Sequence, residues 1–592
     1  MSIDSTTRER ASADDPSGDE GAPAPTTDRD GFLRWGIAAH VTAVTLITAA
    51  VVIWLGGTLV YVQDDAAIHL SVADRLVHDG TWGVVPGRFE SASSSPLWTL
   101  LVAAGTAATG PLSAWVPLLL NAAAGVGVVA VLAAGQSVLR PSRTRRLDAA
   151  ATVVLVVGVL FLPGLAIVGM EHSLHMVLVL IAVLGVHRWA LDRPGWPVAL
   201  TFGAVALGSL ARFETAFVAL GLAAALAVDG HRRDRRRALA VLVASALPIV
   251  AFGVFNRLMG GGWLPNSVIA KGQGPGQMQN DPLTPLAIVD RAAEDPLVVI
   301  LLTVAAVYLV LRGRRAPAAV PAVTLLVAGA VHVTLADIGW YHRYQAYLIA
   351  IGVYLVLALL AEVPEPLHRR AVAAVCVVAL AAGIPKTWAL VRAPAGADDM
   401  YRQQYAAGRF LDRFYDRQPV ATDQLGYISL FHDGPLTDFA GLGDYDVLQR
   451  RTAKSAERQV AWAELQEARG FRVVVLYDVS AFLAPREWVR VGSWRIDTDT
   501  ATGVSRTLVF LATETDEIEP LQDHLREFED EMPARSALTI DEGAALRGWS
   551  LDADARHDGP DDGDGAAGGA LDVGDRLVPD VPASEPTGLS SD

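Results

Sequence analysis

Trp35–Tyr61, WGIAAHVTAVTLITAAVVIWLGGTLVY, holds no Asp, Glu, Lys or Arg, and it runs directly into Val62-Gln-Asp-Asp-Ala-Ala-Ile-His-Leu70. A run of this length exceeds the roughly 20 apolar residues that carry a helix across a bilayer. The same pattern recurs at Leu112–Leu139, Leu147–Val168, Ser173–Leu191, Pro197–Ala211, Thr215–Val228, Ala238–Phe255, Leu297–Leu311, Pro317–Ala336, Tyr344–Ala361 and Ala371–Val391. Pro96–Gly110 is a further, shorter apolar piece. The chain of 592 residues is 52% hydrophobic and only 19% charged, against roughly a quarter charged in an ordinary soluble domain. Because the apolar residues are gathered into these runs, a soluble globular protein is excluded, and a polytopic α-helical membrane protein is expected.

Arginine in short loops orients the spans. The clusters are Arg140, Arg143, Arg145 and Arg146; Arg188 and Arg193; Arg232, Arg233 and Arg235 to Arg237; Arg312, Arg314 and Arg315; and Arg369 with Arg370. All can be cytoplasmic only if Pro96–Gly110 does not cross and lies on the outer side as a juxtamembrane or re-entrant helix. That gives about 11 spans within residues 35–391, a cytoplasmic N-terminal segment 1–34 and an outer C-terminus. The loop 62–111, the turns at Glu171 and Glu214, the loop 256–296 and the turn Trp340–Arg343 then face outward. The two spans around Arg212–Glu214 are short enough to form a dipping hairpin instead.

Residues 392–533 change character. Arg402–Tyr415 reads as helix, and Pro419–Thr422, Arg472–Tyr477, Trp488–Ile496 and Arg506–Ala512 read as strands, so a small extracytoplasmic α/β domain is expected. Residues 534–592 read as a disordered acidic tail. From Glu514 to Asp592 there are 22 acidic residues and 5 Arg, a net of −17 beside −16 for the whole chain, so the charge describes the tail and no acidic partner surface follows. The polar first 30 residues are no signal peptide. The single Cys376 lies in an apolar run and excludes a disulfide framework or a cysteine metal site.

Asp64 and Asp65 stand at the end of the first span. Paired carboxylates at a membrane surface call for a cation, a metal or a substrate, and one could accept a proton from an acceptor hydroxyl. On spacing alone the stronger reading is a solvated helix N-terminus, with Asp capping a helix over 66–78. Further along come Gly80-Thr-Trp-Gly, Phe89-Glu-Ser-Ala-Ser-Ser-Ser-Pro-Leu-Trp98, Gly169-Met-Glu-His-Ser, Leu210-Ala-Arg-Phe-Glu-Thr, Leu264-Pro-Asn-Ser-Val-Ile-Ala-Lys271 and Trp340-Tyr-His-Arg-Tyr. Taken in order, these resemble the membrane glycosyltransferases of the GT-C superfamily. Within it they look most like the actinobacterial terminal arabinofuranosyltransferases that use decaprenyl-phosphoryl-arabinose. His172 stands where that group has Thr, and Phe213 where it has Pro.

The resemblance implies an inverting glycosyltransferase. It would move a monosaccharide from a polyprenyl-phosphate donor to an envelope glycan, glycolipid or glycoprotein on the outer face of the cell membrane. Asp64 or Asp65 would be the base. Arg212, Lys271 and Arg343 suit the donor phosphate, since Arg contacts phosphate bidentately, or they snorkel to headgroups. Glu171 and Glu214 would hold an acceptor hydroxyl or pair with the arginines, the ion pair being the expectation for Glu214. Asn266 reads as a phosphate or sugar contact or a turn residue. His342 reads as a ligand contact or a structural histidine. No cofactor is fixed; a divalent metal at Asp64 and Asp65 is left open. There is no phosphate-binding loop for ATP, no zinc spacing and no basic stripe for nucleic acid. The alternative is a transporter or flippase of lipid-linked sugars, which would favour repeated halves and midplane charges.

Overall fold

The computed structural model describes residues 29–139, 146–193, 196–227, 232–272, 284–451, 455–497 and 504–541. The polar segment before Arg29, much of the arginine loop 140–146 and the acidic tail beyond Asp541 lie outside the described residues.

Among the described residues, six helices are long and apolar enough to cross a membrane: Gly31–Trp54, Ser113–Gln136, Ala150–Val168, His172–Ala190, Arg232–Leu258 and Pro366–Val391. Ala287–Glu294 and Pro296–Arg312 form a pair bent by 100° and make a seventh if taken as one span. Pro96–Thr109, Val198–Ala211, Thr215–Ala227, Ala319–Leu335 and Ala346–Glu362 are apolar but shorter. Thr215–Ala227 packs between Ala319–Leu335 and Arg232–Leu258, while His172–Ala190 packs on Val198–Ala211 and Val116–Leu139. The tight approach has a local cause: a Cβ on Gly221 would stand 2.7 Å from the backbone of Thr324. Val128, Leu132, Val179, Leu222, Leu325 and Ile351 lie in the shared interior.

The run expected as one span over Leu147–Val168 is broken inside. A π-helical turn at Val154–Val159 leads to Phe161, which takes a left-handed φ of 55° before the helix resumes at Leu162. An apolar residue in that conformation leaves no mark on a hydropathy pattern. The loop expected over 256–296 contains the helices Asn266–Gly272 and Pro285–Glu294. The second of these starts at Pro285 with Thr284 accepting from the Ala287 N–H.

Residues beyond Val391 build a six-stranded sheet. Its strands are β1 (Val420–Thr422), β2 (Leu436–Asp438), β3 (Val473–Tyr477), β4 (Val489–Ile496), β5 (Thr507–Ala512) and β6 (Ser536–Ile540), in the order β2-β1-β3-β5-β4-β6. β2, β1 and β3 are parallel, whereas β5 pairs antiparallel with β3 and β4, and β4 with β6. β3, Val-Val-Val-Leu-Tyr, is buried throughout, as a central strand covered on both faces must be. β2 has only three residues and escaped the sequence reading. β6 falls inside residues 534–592, which were expected to be disordered; its alternating half-buried face pairs with β4 before the Gly- and Asp-rich composition takes over.

The sheet and the first loop after Tyr61 share one core. Ile68, Val72, Val84, Val85 and Ala92 are buried with Phe410, Leu425, Trp494 and Phe510, and the helix Asp65–His78 packs on Gly426–Phe431. This joint core fixes the Asp64–Asp65 pair relative to the span ends.

Candidate active site

Asp64 and Asp65 diverge. The Asp64 carboxylate accepts the N–H of Gly426 at 2.6 Å and of Tyr427 at 2.9 Å, and the Tyr427 hydroxyl accepts the Tyr61 N–H at 2.9 Å. It makes no capping bond to its own helix. Burial pushes the Asp64 carboxyl up to about 6, partly offset by the two N–H donors. Its folded value lies above the ordinary 3.8 of an aspartate, so between about pH 4 and 6 the folded state binds the extra proton. Stability should therefore fall as pH rises through that window. Thermal melts of wild type and Asp64→Asn across pH 4 to 7 check this: the difference between them is expected to grow toward low pH in favour of wild type. A pH-independent difference contradicts it.

Asp65 turns the other way. Its carboxylate accepts from Arg343 at 2.6 Å, with 1% of the arginine side chain exposed against 30% of Asp65. Arg343 is delivered by a left-handed turn, since Trp340, Tyr341 and His342 have φ of 44°, 62° and 58°. Each such residue costs about 1–2 kcal/mol, which the surrounding packing must offset.

Arg212 ends the helix Val198–Ala211 and reaches Glu171 at 2.7 Å, His172 at 3.0 Å and Glu214 at 2.5 Å. Burial works against the Glu214 charge, but Arg212 outweighs it and holds the carboxyl down at about 2. The ring of Tyr344 joins the two groups: Arg343 lies 5.0 Å and Arg212 5.6 Å from its centroid, within cation–π range. From the first loop, His69 approaches Glu171 at 3.6 Å. Its other ring nitrogen is 3.2 Å from Ser93 and 3.4 Å from Thr99, and Thr99 donates to Ser93 at 2.8 Å. Ser93 and Thr99, on either side of the Ser95-Pro-Leu-Trp98 stretch, thus orient a histidine onto the cluster, and Ser95 caps the helix that the stretch opens.

Gly169, which precedes Met170 and Glu171, has φ 74°, and a Cβ there would overlap the Tyr61 ring. Gly169→Ala is expected to destabilise the protein by about 2–4 kcal/mol from left-handed strain plus overpacking. A melting curve unchanged from wild type would contradict this.

Of the residues singled out in the sequence, Asp65, Glu171, Arg212, Glu214 and Arg343 converge. The others do not. Asp64 is held by the sheet domain. His342 packs edge-on to Phe161 at 5.8 Å. Burial, then nearby Lys386, pushes its ring down to about 4 against the pull of Asp295. Lys386 itself pairs with Asp295 at 3.0 Å, and Gln345 donates to the same oxygen at 2.8 Å. Asn266 meets the first loop through its N–H, which donates to Ser91 at 3.1 Å. Lys271 belongs to the helix Asn266–Gly272; its side chain lies outside the described residues. His69 joins the cluster without having been singled out, and His172 and Tyr344, which stand in two of the quoted motifs, join it without having been given a role. His69 is one helical turn beyond Asp65, the only signal the sequence offered.

Arg212 and Arg343 both carry carboxylate partners, the ion-pair alternative for Glu171 and Glu214, and the formal charges of Asp65, Glu171, Glu214, Arg212 and Arg343 sum to −1. The residues also do not fit a metal shared by Asp64 and Asp65, because the carboxylates serve different partners. Among the described residues no three His, Cys, Asp or Glu side chains come together to hold one.

Residues 396–511 match a family described as Domain of unknown function (DUF8728). No curated protein matches the chain. Among solved structures, the chain is similar to ArnT from Cupriavidus metallidurans bound to undecaprenyl phosphate, at 14% identity and a TM-score of 0.43 over 82% of this chain and 98% of that one. It is also similar to the oligosaccharyltransferase of Archaeoglobus fulgidus in complex with zinc and sulfate, at 15% identity and a TM-score of 0.46 over 79% and 72%. A complex of AglB from the same organism with an inhibitory peptide and a dolichol-phosphate gives 12% and 0.43 over 85% and 76%.

Proposed function

We propose that the chain is an integral-membrane glycosyltransferase of the GT-C type. It moves a monosaccharide from a polyprenyl-phosphate donor to a hydroxyl of an envelope glycan, glycolipid or glycoprotein at the outer face of the cell membrane. What carries this reading is the buried cluster in which Asp65, Glu171 and Glu214 surround Arg212, Arg343 and Tyr344. Charges assembled at such cost at span ends mark a site that meets a charged ligand.

Asp65 is the base under this reading, because its side chain keeps an exposed part. The donor phosphate takes Arg343 over from Asp65, which frees the carboxylate. The acceptor oxygen attacks the anomeric carbon, the bond from that carbon to the phosphate oxygen breaks, polyprenyl phosphate departs, and the acceptor proton passes to Asp65. Glu171 and Glu214 keep Arg212 fixed beside the Tyr344 ring. In this account about 11 spans cross the membrane, including the four short helices around Arg212 and Arg343, and residues 392–541 lie outside and guide the acceptor. Arabinose as the transferred sugar and inversion at the anomeric carbon follow from the sequence resemblance alone.

A flippase is the competing class. Transfer of labelled sugar from native membrane lipids to endogenous glycan, compared between membranes with and without the protein, separates the two. Protein-dependent label in glycan supports transfer. Label that only changes leaflet overturns it.

A further inference from the structure

Among the described residues, four buried polar atoms at one junction have no hydrogen-bond partner: the Ser91 Oγ, both side-chain polar atoms of Asn266 and the Ser267 Oγ. The three residues are 1%, 1% and 6% exposed. They come from distant parts of the chain and are brought together by the bond from the Asn266 N–H to the Ser91 carbonyl at 3.1 Å. The junction is held from outside itself. The Asn256 amide donates to the carbonyls of Gly262 at 2.9 Å and Leu264 at 3.1 Å, which sets the turn entering Asn266. The helix Asn266–Gly272 packs on Tyr445–Gln449 of the sheet domain.

Buried amides and hydroxyls are nearly always paired, and leaving one unmet costs more than replacing it with an apolar group. Several together in a fixed junction are what a protein retains when a ligand supplies the missing partners. The chemistry is specific. A carboxamide offers a donor and an acceptor side by side, and two hydroxyls offer both roles, with no charge among them. That set matches vicinal hydroxyls of a neutral sugar ring better than a phosphate. Position agrees: Ser91 is two residues from Ser93, which touches His69 of the charged cluster, a span of at most about 7 Å along the chain. A ligand held at the charged cluster thus has this junction beside it along the first loop.

We propose that Ser91, Asn266 and Ser267 form a sugar-hydroxyl subsite beside the charged cluster. The proposal deepens the transfer reading and rests on it for the identity of the sugar carrier, but it is tested by binding alone. The full-length protein in detergent is titrated with polyprenyl phosphate and with polyprenyl-phosphoryl arabinose, mannose, glucose and galactose. Methyl glycosides of the same four sugars form a third arm. Wild type is expected to bind at least one sugar-bearing lipid roughly 10- to 100-fold more tightly than the bare lipid, and Asn266→Ala to erase that gap while melting at or above the wild-type temperature. If the glycosides, and not the lipid sugars, show the Asn266-dependent binding, the subsite serves the acceptor. Ser91→Ala and Ser267→Ala should narrow the gap and cover the case in which Asn266→Ala fails to fold. Equal wild-type binding of bare and sugar-bearing lipids with no glycoside binding overturns the proposal, as does a gap that survives all three substitutions. Sugar-dependent binding in a protein that transfers nothing would keep the subsite and remove the transferase reading.

Discussion

Asp65→Asn is expected to cut the rate of sugar transfer by at least about 100-fold, the usual loss when a general base is removed, while the protein still folds. Asparagine has nearly the shape of aspartate, and its Oδ1 can accept the Arg343 bond now 2.6 Å long. The variant changes the one property a base needs and little else. The control is Asp64→Asn. The Asp64 carboxylate serves two main-chain N–H groups of the sheet domain, so its loss should loosen that docking and reduce transfer only as far as the site is displaced. Initial rates and melting temperatures of both variants check the assignment. Equal rates for Asp65→Asn and wild type would remove Asp65 as the base, and a larger rate loss in a folded Asp64→Asn would move that role to its neighbour.

Arg212→Met should be the most destabilising single change in the membrane body. It leaves Glu171, which has no exposed side-chain surface, and Glu214, at 17% exposure, without their shared cation. Removing one partner of a buried charge group typically costs about 3–5 kcal/mol because the remaining charge stays buried and unmet. Taking out both carboxylates as well, in Arg212→Met with Glu171→Gln and Glu214→Gln, should recover most of that loss, since neutral groups of similar size can pack where the ions stood. Thermal melts of the single and triple variants give the answer. A triple variant no more stable than the single one would mean that Arg212 acts through shape and the Tyr344 ring, not through charge. Transfer should be lost in both variants.

The apolar runs were legible because a bilayer demands long uninterrupted hydrophobic stretches, so Trp35–Tyr61 and its successors declare themselves by length. The short helices flanking Arg212 were legible as apolar, but their fate in a membrane is not written in 13 or 14 residues. Inside the site, Arg212 and its neighbour Glu214 could be read as a pair from a two-residue spacing. The partner of Asp64 could not: its donors lie 362 and 363 residues away and are main-chain groups, which carry no sequence signature. Tyr344 is similar, since its ring becomes a shared platform only when the distant Arg212 folds onto it beside the adjacent Arg343. β2 was missed because three residues are too few to show a period, and β6 because its alternation is embedded in acidic, Gly-rich surroundings. The left-handed turn at 340–342 follows Gly339, which has φ 93°; that glycine marks where the turn starts, but nothing in the sequence shows that Trp340, Tyr341 and His342 continue it.

Stoichiometry in vesicles separates sugar transfer from lipid movement. Purified protein is reconstituted with a polyprenyl-phosphate sugar labelled in both lipid and sugar, and a lipid-anchored glycoside is supplied as acceptor. Each sugar joined to the glycoside is expected to appear with one released polyprenyl phosphate, both products forming on the face bearing the sheet domain, and Asp65→Asn is expected to yield neither. Intact lipid-linked sugar recovered on the opposite leaflet, with no free polyprenyl phosphate, would contradict sugar transfer.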